Sequence, residues 1–242
     1  MMNGLRSLVF LLVQWLVTLP YGVLGLLTFW APRLSRYRWI RTWSTLVTAL
    51  SRGVLGIRYQ VQGIEHLPPA GESVVVLSKH QSAWETIAFQ QIFPPLSFVL
   101  KRELLRIPFF GWGLAAFSPV AIDRGAGREA LKQLVAQGQA RLAAGFWVIV
   151  FPEGTRMAPG ERGNYQIGGA WLACKAGVPV LPVAHNAGAC WGKHAWLKRP
   201  GLVTVRIGAP IATAGRKPAE VNAEVEAWIE AQMLTLPPAF SK

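Results

Sequence analysis

His80 and Glu85 put an imidazole and a carboxylate five residues apart, just beyond an apolar run, in the stretch from Ser73 to Glu85. A histidine with one ring nitrogen free and the other held by a carboxylate can act as a general base, because the acceptor fixes the tautomer and stabilises the imidazolium. Along a continuous helix the same spacing would leave the two about 140° apart. The pairing therefore requires a turn, with His80 at a strand tip and Glu85 in the first turn of the helix that follows. A second reading uses the residues differently: Ser82 at an N-cap and Glu85 at N3 make a capping box, with His80 a bystander. This stretch alone does not choose between them.

The elements that would position such a pair are legible around it. Val74, Val75, Val76 and Leu77 form a continuous, β-branched-rich run, the signature of a strand covered on both faces. From Ile57 onward strands alternate with helices. Strands are expected at Ile57 to Val61, Leu96 to Leu100, Ser118 to Ile122, Phe146 to Phe151, Val178 to Val183 and Leu202 to Ile207. Helices are expected at Gly127 to Ala144, Gly168 to Ala176 and Pro218 to Leu234. That order predicts an α/β domain over residues 57–242, its largely parallel or mixed sheet flanked by helices. Pro179 and Pro182 inside one strand pattern assign that strand to an edge or an irregular wall.

Residues 1–56 read differently, as a membrane-associated helical segment. Leu8 to Trp30 is a run of 23 residues without a charge, interrupted by Pro20, Tyr21 and Gly22. If the chain breaks there, the two pieces rise about 18 and 14 Å as helices, too short to cross a ~30 Å hydrocarbon core but able to dip in as a hairpin. A single proline-kinked transmembrane helix fits the pattern as well. Arg33, Arg36, Arg38 and Arg41 follow, which by the positive-inside rule places the rest of the chain in the cytoplasm. Trp39, Trp43, Leu46, Val47 and Leu50 then recur along one helical face, lying on the bilayer or capping the domain.

The chain is 52% hydrophobic with a net charge of +13, which excludes a disordered polymer. Residues 1–64 hold seven arginines and neither lysine nor acid, an asymmetry suited to anionic lipid headgroups. Nucleic acid is not the expected partner, since the basic residues are interleaved with apolar runs and no nucleic-acid-binding motif occurs. Cys174 and Cys190 have neither the spacing nor the neighbours of a metal site or disulfide framework.

Three further blocks bear on chemistry. Lys101 to Gly111 begins with cations at a strand's carboxyl end, where open α/β sheets meet ligands. Phe151-Pro152-Glu153-Gly154-Thr155-Arg156 follows another strand. Its glycine permits close backbone approach, its arginine fork matches a phosphate, and Glu153 and Thr155 could hold hydroxyls or orient the arginine. The third is the proline-punctuated strand, Val178 to Val183.

Taken in order, His80 to Glu85, Lys101 to Gly111 with Asp123-Arg124, Phe151 to Arg156, and Val178 to Val183 resemble the blocks of the glycerolipid acyltransferase family, and within it the bacterial 1-acyl-sn-glycerol-3-phosphate acyltransferases. The resemblance covers roughly residues 57–211. Two positions depart from the commonest motif: Lys79 stands in place of asparagine, and Glu85 in place of aspartate. The resemblance implies acyl transfer from a coenzyme A or acyl-carrier-protein thioester to the hydroxyl of lysophosphatidic acid, with no further cofactor and no metal. It implies His80 as general base and Glu85 as its partner. Arg156, with Lys101 and Arg124, would bind phosphate beside Glu153, Gly154 and Thr155. The place implied is the cytoplasmic face of the inner membrane. Two alternatives stay open: acylation of another lyso-lipid such as a lyso-ornithine lipid, and a non-enzymatic protein that binds anionic lipid.

Overall fold

The computed structural model describes residues 2–240. Its chain order is α1 (Met2–Leu27), α2 (Arg33–Leu55), β1 (Ile57–Gln62), β2 (Val75–Ser78), α3 (Trp84–Ile92), β3 (Leu96–Lys101), α4 (Phe110–Ala116), β4 (Val120–Ile122), α5 (Arg128–Ala143), β5 (Trp147–Val150), α6 (Gly168–Ala176), β6 (Val180–His185), α7 (Ala187–Cys190), β7 (Gly201–Ile207) and α8 (Pro218–Thr235). The strands form one seven-stranded sheet in the order β1-β7-β6-β2-β5-β3-β4. Every pairing is parallel except β6 with β7. The alternation of strand side chains divides the core in two. Val74 and Val76 pack with Val47, Leu55 and Phe89 on one face, whereas Val75 and Leu77 pack with Leu134, Leu172 and Val225 on the other.

The strand expected to carry two prolines keeps only Pro182, with Pro179 just ahead of it, and it is not at an edge. β6 lies between β7 and β2, and the local sequence explains how. The Pro182 carbonyl faces Gly208, whose N–H bonds it at 2.9 Å just past the end of β7. The missing proline N–H therefore points to the margin of β7, where no regular ladder bond is lost.

Of the two readings of Pro20, a broken hairpin or one continuous helix, the second holds: α1 runs as one helix of 26 residues through it. Both of its ends are tied to the same domain. Near the start, Ser7 Oγ accepts from the Lys198 N–H at 2.9 Å and Phe10 meets Trp191 edge to face. Near the end, a Cβ on Gly22 would lie 2.5 Å from the Phe109 carbonyl oxygen, so only glycine lets α1 settle onto α4. The Trp43 indole N–H donates to Thr18 Oγ1 at 3.0 Å, and Tyr21 bonds Thr42 at 2.8 Å. These contacts hold the helix continuous across a residue that offers no N–H. Its other face stays bare and apolar, with Leu5, Leu12, Trp15, Leu16 and Leu27 all more than half exposed.

α2 is amphipathic but rotated from the expected stripe. Tyr37, Ile40, Ser44, Val47, Ser51 and Leu55 face the domain, while Trp39 and Leu46 are exposed. The serines win the buried positions because α2 approaches the domain closely, and Ser44 Oγ there accepts from the Gln91 amide at 2.8 Å. Arg36 departs from its neighbours: it is buried, with Nε on the Ala116 carbonyl at 3.1 Å and Nη2 on Ser118 Oγ at 3.0 Å. It fastens the end of α4 and is not turned to a headgroup.

Candidate active site

The blocks converge because four parallel strands end together. Leu77 of β2 sits opposite Val150 of β5, and Lys101 of β3 opposite Ile122 of β4. The chain leaving each strand thus delivers His80, the Phe151–Arg156 turn, Lys101 and Arg124 to one rim, the place where open α/β sheets bind ligands.

His80 Nδ1 lies 2.8 Å from Glu85 Oε1. The same oxygen accepts the N–H groups of Gln81 at 3.0 Å and Ser82 at 2.8 Å, while Ser82 Oγ accepts the N–H of Trp84 at 3.0 Å. Half of the expected capping box coexists with the dyad: Glu85 Oε1 takes the Ser82 N–H and holds the imidazole, while Ser82 Oγ bonds the Trp84 N–H and not that of Glu85. Glu85 is wholly buried, and its Oε2 has no hydrogen-bond partner among the described residues. Burial pushes its carboxyl up, but His185, His80 and the Ser82 N–H outweigh that and leave it below its ordinary value. An ionised Glu85 makes Nδ1 the protonated nitrogen of a neutral His80, so Nε2 carries the lone pair. No protein group among the described residues bonds Nε2. The ring stacks on Phe151 with centroids 3.9 Å apart and planes at 14°, which fixes its rotation.

The Phe151–Arg156 turn serves two purposes. Glu153 faces inward with a fully buried side chain. Its Oε2 accepts the His80 N–H at 3.0 Å, and its Oε1 accepts Lys79 Nζ at 2.7 Å and the Gly163 N–H at 3.1 Å. A fully buried carboxylate engaged in this way is turned from the rim, so Glu153 supports the histidine and is not presented to a ligand hydroxyl. Gly154 has φ +67°, and among the described residues no atom beyond its chain neighbours lies within 4 Å of where its Cβ would stand. The left-handed turn, and not crowding by the protein, demands glycine there. Thr155 is exposed, and Arg156 Nε is buried without a partner among the described residues. The Arg124 guanidinium donates to the Gly154 carbonyl, drawing the end of β4 onto the turn, while Lys101 is exposed at the end of β3.

Two residues at the rim were not singled out by sequence. Lys193, on the loop after α7, reaches Thr155 Oγ1 at 3.4 Å, and no local pattern marks it. His185, at the end of β6, is fully buried, and its Nε2 donates to the Lys79 carbonyl at 2.9 Å. Burial pushes its pKa down from the ordinary histidine value.

Three comparisons bear on this arrangement. The family model described as Acyltransferase matches residues 58–186. A 1-acyl-sn-glycerol-3-phosphate acyltransferase of Pseudomonas aeruginosa is 45% identical, the match covering 98% of this chain and 93% of that one. A mouse 1-acyl-sn-glycerol-3-phosphate acyltransferase alpha is 31% identical over 75% of this chain and 64% of its own length. The crystal structure of a 1-acyl-sn-glycerophosphate acyltransferase from Thermotoga maritima superposes with a TM-score of 0.81 at 25% identity, covering 99% of this chain and 98% of that one. With a family model over more than half its length and a near-full-length relative at 45% identity, the chain belongs to the acyltransferase family of enzymes.

Proposed function

We propose that the protein transfers an acyl group from a coenzyme A or acyl-carrier-protein thioester to the 2-hydroxyl of a 1-acyl-glycerol-3-phosphate, forming phosphatidic acid. The observation that carries this reading is the 2.8 Å bond between His80 Nδ1 and Glu85 Oε1, which leaves Nε2 as the open base. An alcohol is a poor nucleophile at neutral pH, whereas the thioester is already activated. His80 Nε2 takes the hydroxyl proton as the oxygen attacks the thioester carbon. The new C–O bond forms, the C–S bond breaks, and the imidazolium returns its proton to the departing thiolate. Glu85 balances the imidazolium in between. Such a base contributes roughly 10²–10⁴ in rate, and no covalent acyl-enzyme is required.

Arg156, with Lys101 and Arg124, meets the acceptor's phosphate at the rim. The bare face of α1 lies in the interface of one leaflet. A helix whose two ends touch the same domain runs along the bilayer and not through it, and the exposed arginines of α2 meet anionic headgroups from the cytoplasmic side. The cytoplasmic face of the inner membrane is the location we infer, and the bare apolar face of α1 supports a membrane surface.

The deciding experiment supplies purified enzyme with lysophosphatidic acid and a labelled acyl thioester and identifies the product, comparing wild type with His80→Ala. Phosphatidic acid from wild type, and a loss of about a hundredfold or more in the variant, is expected. A folded variant that keeps a tenth or more of the rate removes His80 as the base. Wild-type preference for an uncharged acceptor removes the assigned substrate.

A further inference from the structure

We propose that Lys79 is a positioning residue for His80: its buried ammonium fixes the Glu153 carboxylate that holds the His80 backbone N–H. The inference rests on the acyl-transfer reading above and extends it to a side chain that never reaches the rim.

Lys79 is 1% exposed, and a buried ammonium is strongly unfavourable unless every donor is met. Its three N–H groups have three acceptors: Glu153 Oε1 at 2.7 Å, Glu230 Oε1 of α8 at 2.9 Å, and the Glu161 carbonyl at 3.0 Å. The backbone on either side is pinned as well. The Lys79 N–H bonds the Val183 carbonyl at 3.0 Å, the Lys79 carbonyl accepts from His185, and the His80 carbonyl accepts the Met157 N–H at 2.8 Å. The remaining group, the His80 N–H, depends on a charged side chain, Glu153 Oε2. Glu153 in turn faces the carboxylate of Glu230 across a single ammonium. Without that cation the buried Glu153 carboxylate confronts the partly exposed Glu230 carboxylate unscreened, Glu153 is driven from the His80 N–H, and the imidazole loses its anchor while its bond to Glu85 is untouched. A shift of about 1 Å in a catalytic group costs on the order of a hundredfold in rate.

The test compares full-length wild type, Lys79→Met, Glu153→Asp and the double variant, with His80→Ala as the inactive control. Near-UV circular dichroism and Tm report folding; kcat and both KM values are measured per folded molecule on lysophosphatidic acid and acyl-CoA. Lys79→Met should lower kcat about tenfold to a hundredfold while both KM values move less than about threefold. Glu153→Asp retains the charge pair but shortens the arm to His80, and should lose kcat in the same manner with Tm nearly retained. The double variant should be no slower than the slower single one, since both act through one N–H. A purely structural Lys79 would lower Tm and leave kcat alone. The proposal is overturned if folded Lys79→Met keeps kcat within about twofold of wild type, or if the two losses multiply. Should Lys79→Met not fold, Glu153→Asp decides, and wild-type kcat in that variant overturns the proposal. A wild type that does not acylate lysophosphatidic acid sinks the functional reading instead, and His80→Ala tells the two failures apart.

Discussion

Glu85 Oε1 takes three N–H groups while Oε2, buried, has no partner among the described residues. Glu85→Gln can keep its carbonyl on those three donors and set its amide where Oε2 was. The geometry then survives and only the charge is lost. We expect kcat to fall about tenfold to a hundredfold, less than for His80→Ala; a loss equal to that of His80→Ala would mean the ring itself had moved. Arg156→Lys keeps the charge but loses the bidentate fork, so the KM for lysophosphatidic acid should rise about tenfold to a hundredfold with little change in the donor's KM. Equal weakening of donor and acceptor would make Arg156 a support of the turn. His185, buried and neutral, sets a pH limit. Its folded pKa lies below 6.5, so below that pH the unfolded chain binds the proton first and stability falls, by at most about 1.4 kcal/mol per pH unit for one group. Glu85 adds a second loss only below its ordinary value of 4.5, as pH falls through its depressed folded value. His185→Gln, which still donates to Lys79 but does not titrate, should flatten the decline of Tm between pH 6.5 and 5.

Among the elements, α1 depends most on one small residue. Gly22 lies against the Phe109 carbonyl at the start of α4, and backbone cannot yield as a side-chain tip would. Gly22→Val should therefore cost about 1–3 kcal/mol and lift the end of α1 from the domain, read as a lower Tm and faster proteolysis within residues 20–30. Pro20→Ala is expected to do little, because the tertiary contacts on either side already hold the helix through that point. A wild-type Tm for Gly22→Val would show that the helix is held from its other end alone.

At the scale of the whole molecule, the first two helices are part of the core. Phe10, Val47 and Leu55 belong to the same packed cluster as Val76, Phe89 and Ile149. Removing residues 1–56 should uncover that cluster and yield aggregated protein, judged by size-exclusion chromatography, and not a soluble monodisperse enzyme. The full chain should sediment with vesicles containing anionic lipid, and raising salt from 0.1 to 1 M, which shortens the screening length from about 10 to 3 Å, should weaken binding without abolishing it. Complete release by salt would mean that the apolar face of α1 does not enter the bilayer.

The alternation of strands and helices, the His80–Glu85 spacing and the order of the blocks were legible along the chain because each is a local pattern, written within a few residues of itself. Apolar periodicity marked nearly every strand and long helix after Ile57 to within a residue or two. What local pattern does not carry is who lies beside whom. Strand order puts β2 next to β5 although β3 and β4 come between them in sequence, and that adjacency brings Glu153 under His80. Lys79 finds Glu230 across 151 residues, and Lys193 finds Thr155 across 38. The inward turn of Arg36, the serine-lined face of α2 and the unbroken α1 follow likewise from packing, which overrides propensity wherever burial and close approach outweigh the few tenths to one kcal/mol that a local preference supplies. Sequence alone determined the chemistry these residues can do; the tertiary structure decided which of them face the substrate and which hold the others in place, because burial and hydrogen-bond satisfaction are properties of neighbours and not of order along the chain.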